Sequence, residues 1–328
     1  MEKVLLFSHE SDIDGLGCVV LAKLAFKNLD YVLLPDIRKL ELTFREYIQS
    51  DKLANYDRIY VTDLALYDPA LTMVEESSLK DRVLVFDHHK MAIKDNMDRY
   101  SFTTIIEEEN GRNRCGTELF YDYLVKNNLL VSTPALEEFV ELTRLEDTWE
   151  WKKYGEIGEN AHDLAFLLNI IGKDSYIKNM ISRLLSNQEH FFLNDYEKSL
   201  VQNKKNEYNN KIKEILSTAE YYVDEFGNKF CAVFSDYEYR NDLAEYIVKE
   251  GNPKQVSYII VVAMDKGEYG QKSYRKVVDS FDVNEIAMTH GGGGHPGAAA
   301  VVIREEQKEH ALTLTKDKRL KYLIDCKY

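Results

Sequence analysis

Seven acids and imidazoles stand where apolar runs break off. Val83-Leu84-Val85-Phe86 ends in Asp87-His88-His89, Val4-Leu5-Leu6-Phe7 runs through Ser8 into His9-Glu10-Ser11-Asp12-Ile13-Asp14-Gly15, and Ile59-Tyr60-Val61-Thr62 ends in Asp63. Short β-branched and aromatic runs of this kind read as buried strands of a parallel sheet. In open α/β sheets the carboxyl ends of the strands are where ligands bind. Three strands would then deliver His9, Asp12, Asp14, Asp63, Asp87, His88 and His89 to one sheet edge. That many acids and imidazoles share a small volume only around a cation. A two-metal site would use the carboxylates of Asp12, Asp14, Asp63 and Asp147 with the imidazoles of His9 and His88. Such a ligand set neutralises two divalent ions and still admits an anionic phosphate, so a phosphoester site is favoured over metal storage. Paired ions lower the pKa of a shared water and clamp phosphoryl oxygens. Mixed imidazole and carboxylate ligation suits manganese (Mn2+), with magnesium (Mg2+), cobalt (Co2+), zinc (Zn2+) or iron as alternatives.

Each residue alone has an ordinary reading, since an aspartate after a strand is most often an N-cap or turn residue. Convergence therefore has to come from the elements. The first ~185 residues alternate strands and helices, the pattern of an α/β, doubly wound, mostly parallel sheet with helices on both faces. Helices are expected over 15–26 and 42–49, at Asp68-Pro69 with the aspartate as N-cap, over 116–125, from Thr133-Pro134 to Asp147, and over 160–186. A long, largely polar helix over 188–216 reads as a connector between domains. The expected division is 1–187 for a metal-binding catalytic domain, 188–217 for a helical linker and 218–328 for a smaller C-terminal α/β substrate-binding domain.

That last part begins with a hairpin around Phe226-Gly227-Asn228, followed by a helix capped by Asn241 and ended by Gly251. An apolar strand over 256–264 pairs with 271–277, and Asp282 with Glu285 starts a short helix. The chain then enters Gly291-Gly292-Gly293-Gly294-His295-Pro296-Gly297. Four glycines lose too much backbone entropy to form a helix or strand interior, so a loop is expected. Its successive N–H groups can form an anion-binding nest. No Gly-Lys-Ser/Thr follows, which excludes a Walker loop. Arg275, on its own, reads as a solvated surface charge.

The chain carries 56 acids against 42 bases, a net charge of −14. Such a surface repels long nucleic acids, whose binding depends on neutralising many phosphates, while a small anion held by a local positive site remains compatible. Cys18, Cys115, Cys231 and Cys326 are widely spaced and read as reduced thiols. No apolar run reaches the ~20 residues that span a bilayer. No secretory signal is visible, and a cytoplasmic location without membrane partners is expected.

Taken together, Ser8-His9-Glu10-Ser11-Asp12-Ile13-Asp14-Gly15, Val61-Thr62-Asp63, Asp87-His88-His89, Asp147-Thr148-Trp149 and Gly291 to Ala299 resemble, in this order, the motifs of the DHH phosphoesterase superfamily. The resemblance is to its two-domain oligoribonuclease (nano-RNase) and small-nucleotide phosphodiesterase branch, and spans nearly the whole chain. It implies one metal held by His9, Asp12 and Asp63, and a second by Asp14, Asp63, His88 and Asp147, with Asp63 bridging. Asp87 would orient an imidazole, and His89 would face the substrate phosphate as a hydrogen-bond or proton donor. Ser273, Arg275, Gly292, Gly293, Gly294 and His295 would bind substrate, with Arg240 lining the same place. The implied activity is hydrolysis of short RNA or linear dinucleotides to nucleoside monophosphates, with the substrate between the two domains. Rival readings are a cyclic mononucleotide or dinucleotide phosphodiesterase, a pyrophosphatase or short-chain polyphosphatase, and a noncatalytic nucleotide sensor with a degenerate site. Oligomeric state stays open, a homodimer among the options.

Overall fold

Within β1 (Val4–His9), Val4 and Leu6 pack on one face of a sheet while Leu5 and Phe7 pack on the other. Both faces of this strand are buried, which explains its unbroken apolar sequence. A computed structural model describes residues 2–94, 97–264 and 270–326. After β1 come α1 (Ile13–Ala25), β2 (Leu29–Leu34), α2 (Ile37–Gln49), β3 (Arg58–Thr62), α3 (Ala70–Glu75), β4 (Val83–Asp87), α4 (Lys90–Lys94) and β5 (Thr103–Ile105). A two-strand ribbon follows, β6 (Glu108–Glu109) with β7 (Arg112–Asn113), and then α5 (Gly116–Lys126), α6 (Pro134–Asp147), α7 (Gly155–Ile171) and α8 (Lys173–Ser186). The main sheet has the order β2-β1-β3-β4-β5 and is parallel throughout. Leu16, Val19 and Val20 of α1 share one core with α5 to α8, while Leu40 and Phe44 of α2 and Leu71 and Val74 of α3 cover the opposite face. The expected doubly wound α/β class is therefore present. In this strand order the winding reverses between β1 and β3, the place where ligands bind in such sheets.

Local chemistry moves several expected element boundaries. Asp68 does not cap α3. Pro69 holds the N-cap position, and Asp68 Oδ1 instead accepts from Thr72 Oγ1 at 2.7 Å. The helical stretch over 160–186 is broken at Gly172, whose φ of +76° ends α7 and starts α8. The connector begins at Asn194, later than the polar pattern suggests. There Asn194 Oδ1 accepts from Glu197 N and Glu197 Oε2 accepts from Asn194 N, both at 2.9 Å. This reciprocal cap fixes the start of α9 (Asp195–Ser217).

Two compact units divide within α9, Met1–Lys204 and Lys205–Tyr328. The second contains β8 (Glu220–Val223), β9 (Lys229–Phe234), α10 (Arg240–Lys249), β10 (Tyr258–Ala263), β11 (Gly270–Lys276), α11 (Val283–Thr289), β12 (Gly293–His295), β13 (Ala298–Ile303), α12 (Glu305–Thr313) and α13 (Lys316–Asp325). Its mixed sheet runs β12-β13-β11-β10-β9-β8, with only the β9–β10 pair parallel. α11 and α13 contribute Val283, Ile286, Leu320 and Leu323 to the core on one face, while α10 contributes Leu243 and Ala244 to the core on the other.

The glycine run corrects the expected loop. Gly293, Gly294 and His295 form an edge strand antiparallel to β13. Close approach, not looseness, explains the residue type. A Cβ on Gly292 would collide with the Ala300 carbonyl, and one on Gly294 would lie 2.6 Å from the Ala298 carbonyl oxygen. Asn241 likewise lies inside α10, one residue past its start, because its Oδ1 accepts from Arg275 Nε at 2.6 Å.

Candidate active site

β1, β3 and β4 are neighbours, so their carboxyl ends bring His9, Asp63, Asp87, His88 and His89 together at the point where the winding reverses. α1 adds two acids from its first turn. Asp12 is its N-cap, with Oδ1 accepting from Gly15 N at 3.0 Å and Oδ2 2.6 Å from His9 Nδ1. Asp14, two residues further on, is fully buried. Asp147, the last residue of α6, comes from far along the chain, and its Oδ2 is 3.3 Å from His88 Nε2.

Asp63 sits between two groups of ligand atoms. Its Oδ2 lies 3.5 Å from His9 Nδ1, and its Oδ1 lies 3.5 Å from His88 Nε2. His88 Nε2 is also 3.6 Å from Asp14 Oδ2. The sets His9, Asp12, Asp63 and Asp14, His88, Asp147 each present ligand atoms within 4.8 Å of one another, as do Asp63, Asp87, His88 and His89. Asp63 Oδ2, His88 Nε2 and Asp147 Oδ2 are buried without a hydrogen-bond partner among the described residues. Buried polar atoms left so are expensive, and all three belong to residues of the sets that could each hold a divalent ion. Asp63 also holds a φ of +54°, a left-handed conformation that a non-glycine residue keeps only where its surroundings impose it.

His89 stands apart. Its Nδ1 is 2.7 Å from Asp87 Oδ1, and half of its side chain is exposed. Asp87 thus orients His89 and leaves the other ring nitrogen available.

The proximity of so many acids shows in their protonation. Burial, then the charge of Asp14, pushes Asp63 well up, and the same two causes bring Asp147 to about 7. The hydrogen bond to Asp12, then the nearby carboxylate of Asp63, raises His9 to about 10. Burial opposes the charged form of His88, yet Asp14 and Asp147 hold it above its ordinary value. Burial likewise works against the Asp12 carboxylate, but its bond to His9 keeps it below the usual range. The cluster brings together more carboxyl groups than imidazoles.

One contributor escapes a reading of the sequence. The N-terminus of α5 donates Gly116 N to Asp14 Oδ2 and Thr117 N to Asp14 Oδ1, both at 2.7 Å, and Thr117 Oγ1 donates to the Asp14 carbonyl at 2.5 Å. Two N–H groups of a helix N-terminus hold this buried carboxyl in place. Gly116 is small because a Cβ there would lie 2.9 Å from Asp63 Cα. The local signal was a glycine opening a helix, which says nothing about which acid it meets.

In the second unit, register brings other expected residues side by side. Gly293, Ala300 and Ser273 lie in one row across β12, β13 and β11, and His295, Ala298 and Arg275 in the next row on the same face. Ser273 Oγ is buried without a partner among the described residues, as is Arg240 Nε. Arg275 corrects the surface reading. It is partly buried, its Nη1 donates to the Tyr274 carbonyl at 2.8 Å, and burial followed by the nearby charge of Arg240 lowers its pKa. Arg240 packs its guanidinium 3.8 Å from the Tyr237 ring centroid. Two neighbouring guanidiniums and an orphaned hydroxyl are the kinds of group that recognise anions. Ser235 Oγ, just past the end of β9, is also buried without a partner among the described residues, and no local pattern in the sequence marks it.

Residues 227–318 match the model of the DHHA1 domain. Over 309 residues the chain is 33% identical to oligoribonuclease NrnB of Bacillus subtilis (strain 168), covering 93% of this chain and 74% of that one. The pGpG-specific phosphodiesterase PggH from Vibrio cholerae superposes with a TM-score of 0.53 at 15% identity, covering 99% of this chain and 100% of that one. The DHH domain of a protein assigned to a family of ribosomal proteins gives 0.55 at 15% identity, covering 100% of this chain and 88% of that one. The last two likenesses concern the fold. The chain belongs to the DHH phosphoesterase superfamily, as its motifs led us to expect. Within it, the sequence stands with NrnB and carries the DHHA1 domain at its C-terminal end.

Proposed function

We propose that this protein is a divalent-metal-dependent phosphodiesterase that hydrolyses short oligoribonucleotides or linear dinucleotides to nucleoside monophosphates. The observation that carries the reading is the carboxylate–imidazole cluster shared through Asp63, with three buried unpartnered ligand atoms, in a chain one-third identical to an oligoribonuclease. His9, Asp12 and Asp63 would hold one ion and Asp14, His88 and Asp147 another, with Asp63 facing both. When bound, such ions supply an activated water and neutralise phosphoryl oxygens, manganese suiting this donor set best.

The chain's own groups do the rest. α5 keeps Asp14 aimed through the Gly116 and Thr117 N–H groups. The hydrogen bond to Asp87 raises the pKa of His89 and fixes its ring, so its other ring nitrogen can donate to a phosphate oxygen or to the departing ribose oxygen. Arg275, Arg240, Ser273 and the backbone of Gly292, Gly293, Gly294 and His295 take a substrate phosphate in the second unit. The acidic surface favours short substrates, because it offers a long strand little to follow.

The test is a product-resolved assay on RNAs of one to ten nucleotides with manganese and with magnesium, alongside cyclic AMP and pyrophosphate. Monophosphate release fastest from the shortest oligomers supports the reading. Faster turnover of cyclic AMP or pyrophosphate than of any dinucleotide overturns it, and equal activity on a thirty-nucleotide strand removes the short-substrate part.

A further inference from the structure

Two residues beyond Asp147, the chain places a large aromatic side chain in solvent in a conformation that such residues avoid. Trp149 is 60% exposed and has φ +60°, ψ +12°. A bulky residue in the left-handed region is a genuine outlier, and strain of this kind persists where the surroundings impose it, often at functional sites. An exposed indole in such a conformation gains nothing from core packing. Tyr154 and Ile157, further along the same stretch, are also exposed, at 51% and 44%. A cation accompanies Trp149. Lys152 Nζ lies 4.9 Å from the Trp149 ring centroid and 5.4 Å from that of Trp151.

We infer that Trp149 is a stacking platform for a nucleobase of the substrate, with Lys152 beside it to attract the adjoining phosphate. This inference rests on the phosphodiesterase reading and specifies how that site chooses its substrate. An aromatic face holds any base, because every base has a π-face, and so gives recognition that tolerates sequence. Hydrogen-bonding readout is not required. Such a platform next to Asp147 selects diesters that bear a base over inorganic pyrophosphate. The left-handed turn at Trp149 would be the feature that turns the ring away from the core after α6 ends. Trp151, in contrast, is spoken for, its ring stacked on His162 at 4.0 Å and 12°.

The chain has only two tryptophans, which makes the inference directly measurable. In Trp151→Phe protein kept in EDTA, titration with the dinucleotide ApA should quench the remaining indole emission. Ribose phosphate without a base should leave that emission unchanged. In steady-state assays with manganese, Trp149→Ala should raise KM for ApA by about tenfold or more with kcat little changed. Trp149→Phe should restore most of the affinity, and a dinucleotide lacking both bases should be cleaved equally well by both the wild type and Trp149→Ala. Trp149→Gly, which accommodates the backbone without strain, should keep or raise Tm while showing the same KM defect. A KM unchanged in Trp149→Ala while wild type cleaves ApA overturns the platform and leaves the phosphodiesterase reading intact. Wild type inactive on ApA overturns that reading, and absence of quenching then overturns the platform as well. A KM defect of equal size on the baseless dinucleotide also overturns it, since the loss would then come from a distorted site.

Discussion

Asp63 is the residue on which the two ligand groups meet, and its replacement should be the most damaging single change in the molecule. Asp63→Asn keeps the shape, removes the charge, and should lower manganese-dependent turnover by at least about 100-fold. It should also abolish the rise in Tm on adding manganese, which a calorimetric titration would show. Asp87→Asn should be milder, costing about 10- to 100-fold in activity through a misdirected His89, with the metal-induced Tm rise preserved. The pH dependence follows from the same crowding. In the metal-free protein Asp147 titrates near 7, and His9 near 10, each above its unfolded value. A raised carboxyl pKa means that ionisation costs folding free energy, and a raised histidine pKa gives stability that vanishes as the proton leaves. Both therefore lower stability as pH rises, Asp147 between about 4 and 7 and His9 between about 6.5 and 10. EDTA-treated protein should lose on the order of a few kcal/mol between pH 5 and pH 8, and metal should restore most at the alkaline end. Chemical denaturation across that range would measure it. A flat profile would mean that the carboxylates are not crowded as described.

Besides α1, helices α5 and α6 carry the parts of the site that do not sit on the sheet. α5 clamps Asp14 through its N-terminus, and α6 delivers Asp147 at its C-terminus. Their alignment depends on a buried charge network. Arg144, 1% exposed, donates to Glu141 at 2.7 and 3.0 Å, to Glu150 at 2.5 Å and to the Asn113 carbonyl at 3.3 Å, while Arg112 joins Glu118 of α5 to Glu141 of α6. Removing one member of such a network leaves buried charge unpaired. Arg144→Ala should cost about 3 kcal/mol or more of stability by urea denaturation, and should weaken manganese binding because Asp147 lies one turn away. Gly116→Ala tests the clamp more locally. The new methyl would push α5 from Asp63 and Asp14, so activity should fall while stability drops by about 1–3 kcal/mol. Full activity in Gly116→Ala would show that the clamp is slack. At this scale the sequence was only partly legible. The cap at Thr133 and the proline after it marked the start of α6 correctly, since capping is a local interaction. Local pattern misplaces the start of α9 and the pairing of the glycine run, because a reciprocal cap at Asn194 and a partner strand just downstream outweigh average propensity.

For the molecule as a whole, net charge is the quantity that bears on substrate length under the proposed function. At −14, the surface opposes long polyanions, and on that reading attraction comes from a few cations such as Arg240 and Arg275. The salt dependence should accordingly be shallow. With one or two phosphates neutralised, KM for a dinucleotide should rise by less than about tenfold between about 50 and 200 mM salt, whereas a protein tracking many phosphates loses orders of magnitude. A steep salt slope would show that the anionic surface hides a longer basic track. Among the described residues no helix is long and apolar enough to cross a membrane.

What the sequence determined by itself was the inventory at the strand ends: His9, Asp12 and Asp14, then Asp63, then Asp87, His88 and His89. An apolar run that stops at polar residues is a local pattern, and several such patterns in order were enough to resemble one superfamily. Only the tertiary structure decided that β1 and β3 are neighbours, that Asp147 returns from 59 residues beyond His88 to lie 3.3 Å from it, and that α5 grips Asp14. It alone showed that the glycine run approaches a partner strand instead of looping free. These are pairings between separate segments, fixed by packing and by the need to satisfy buried polar groups, and local pattern along the chain does not specify which segments meet.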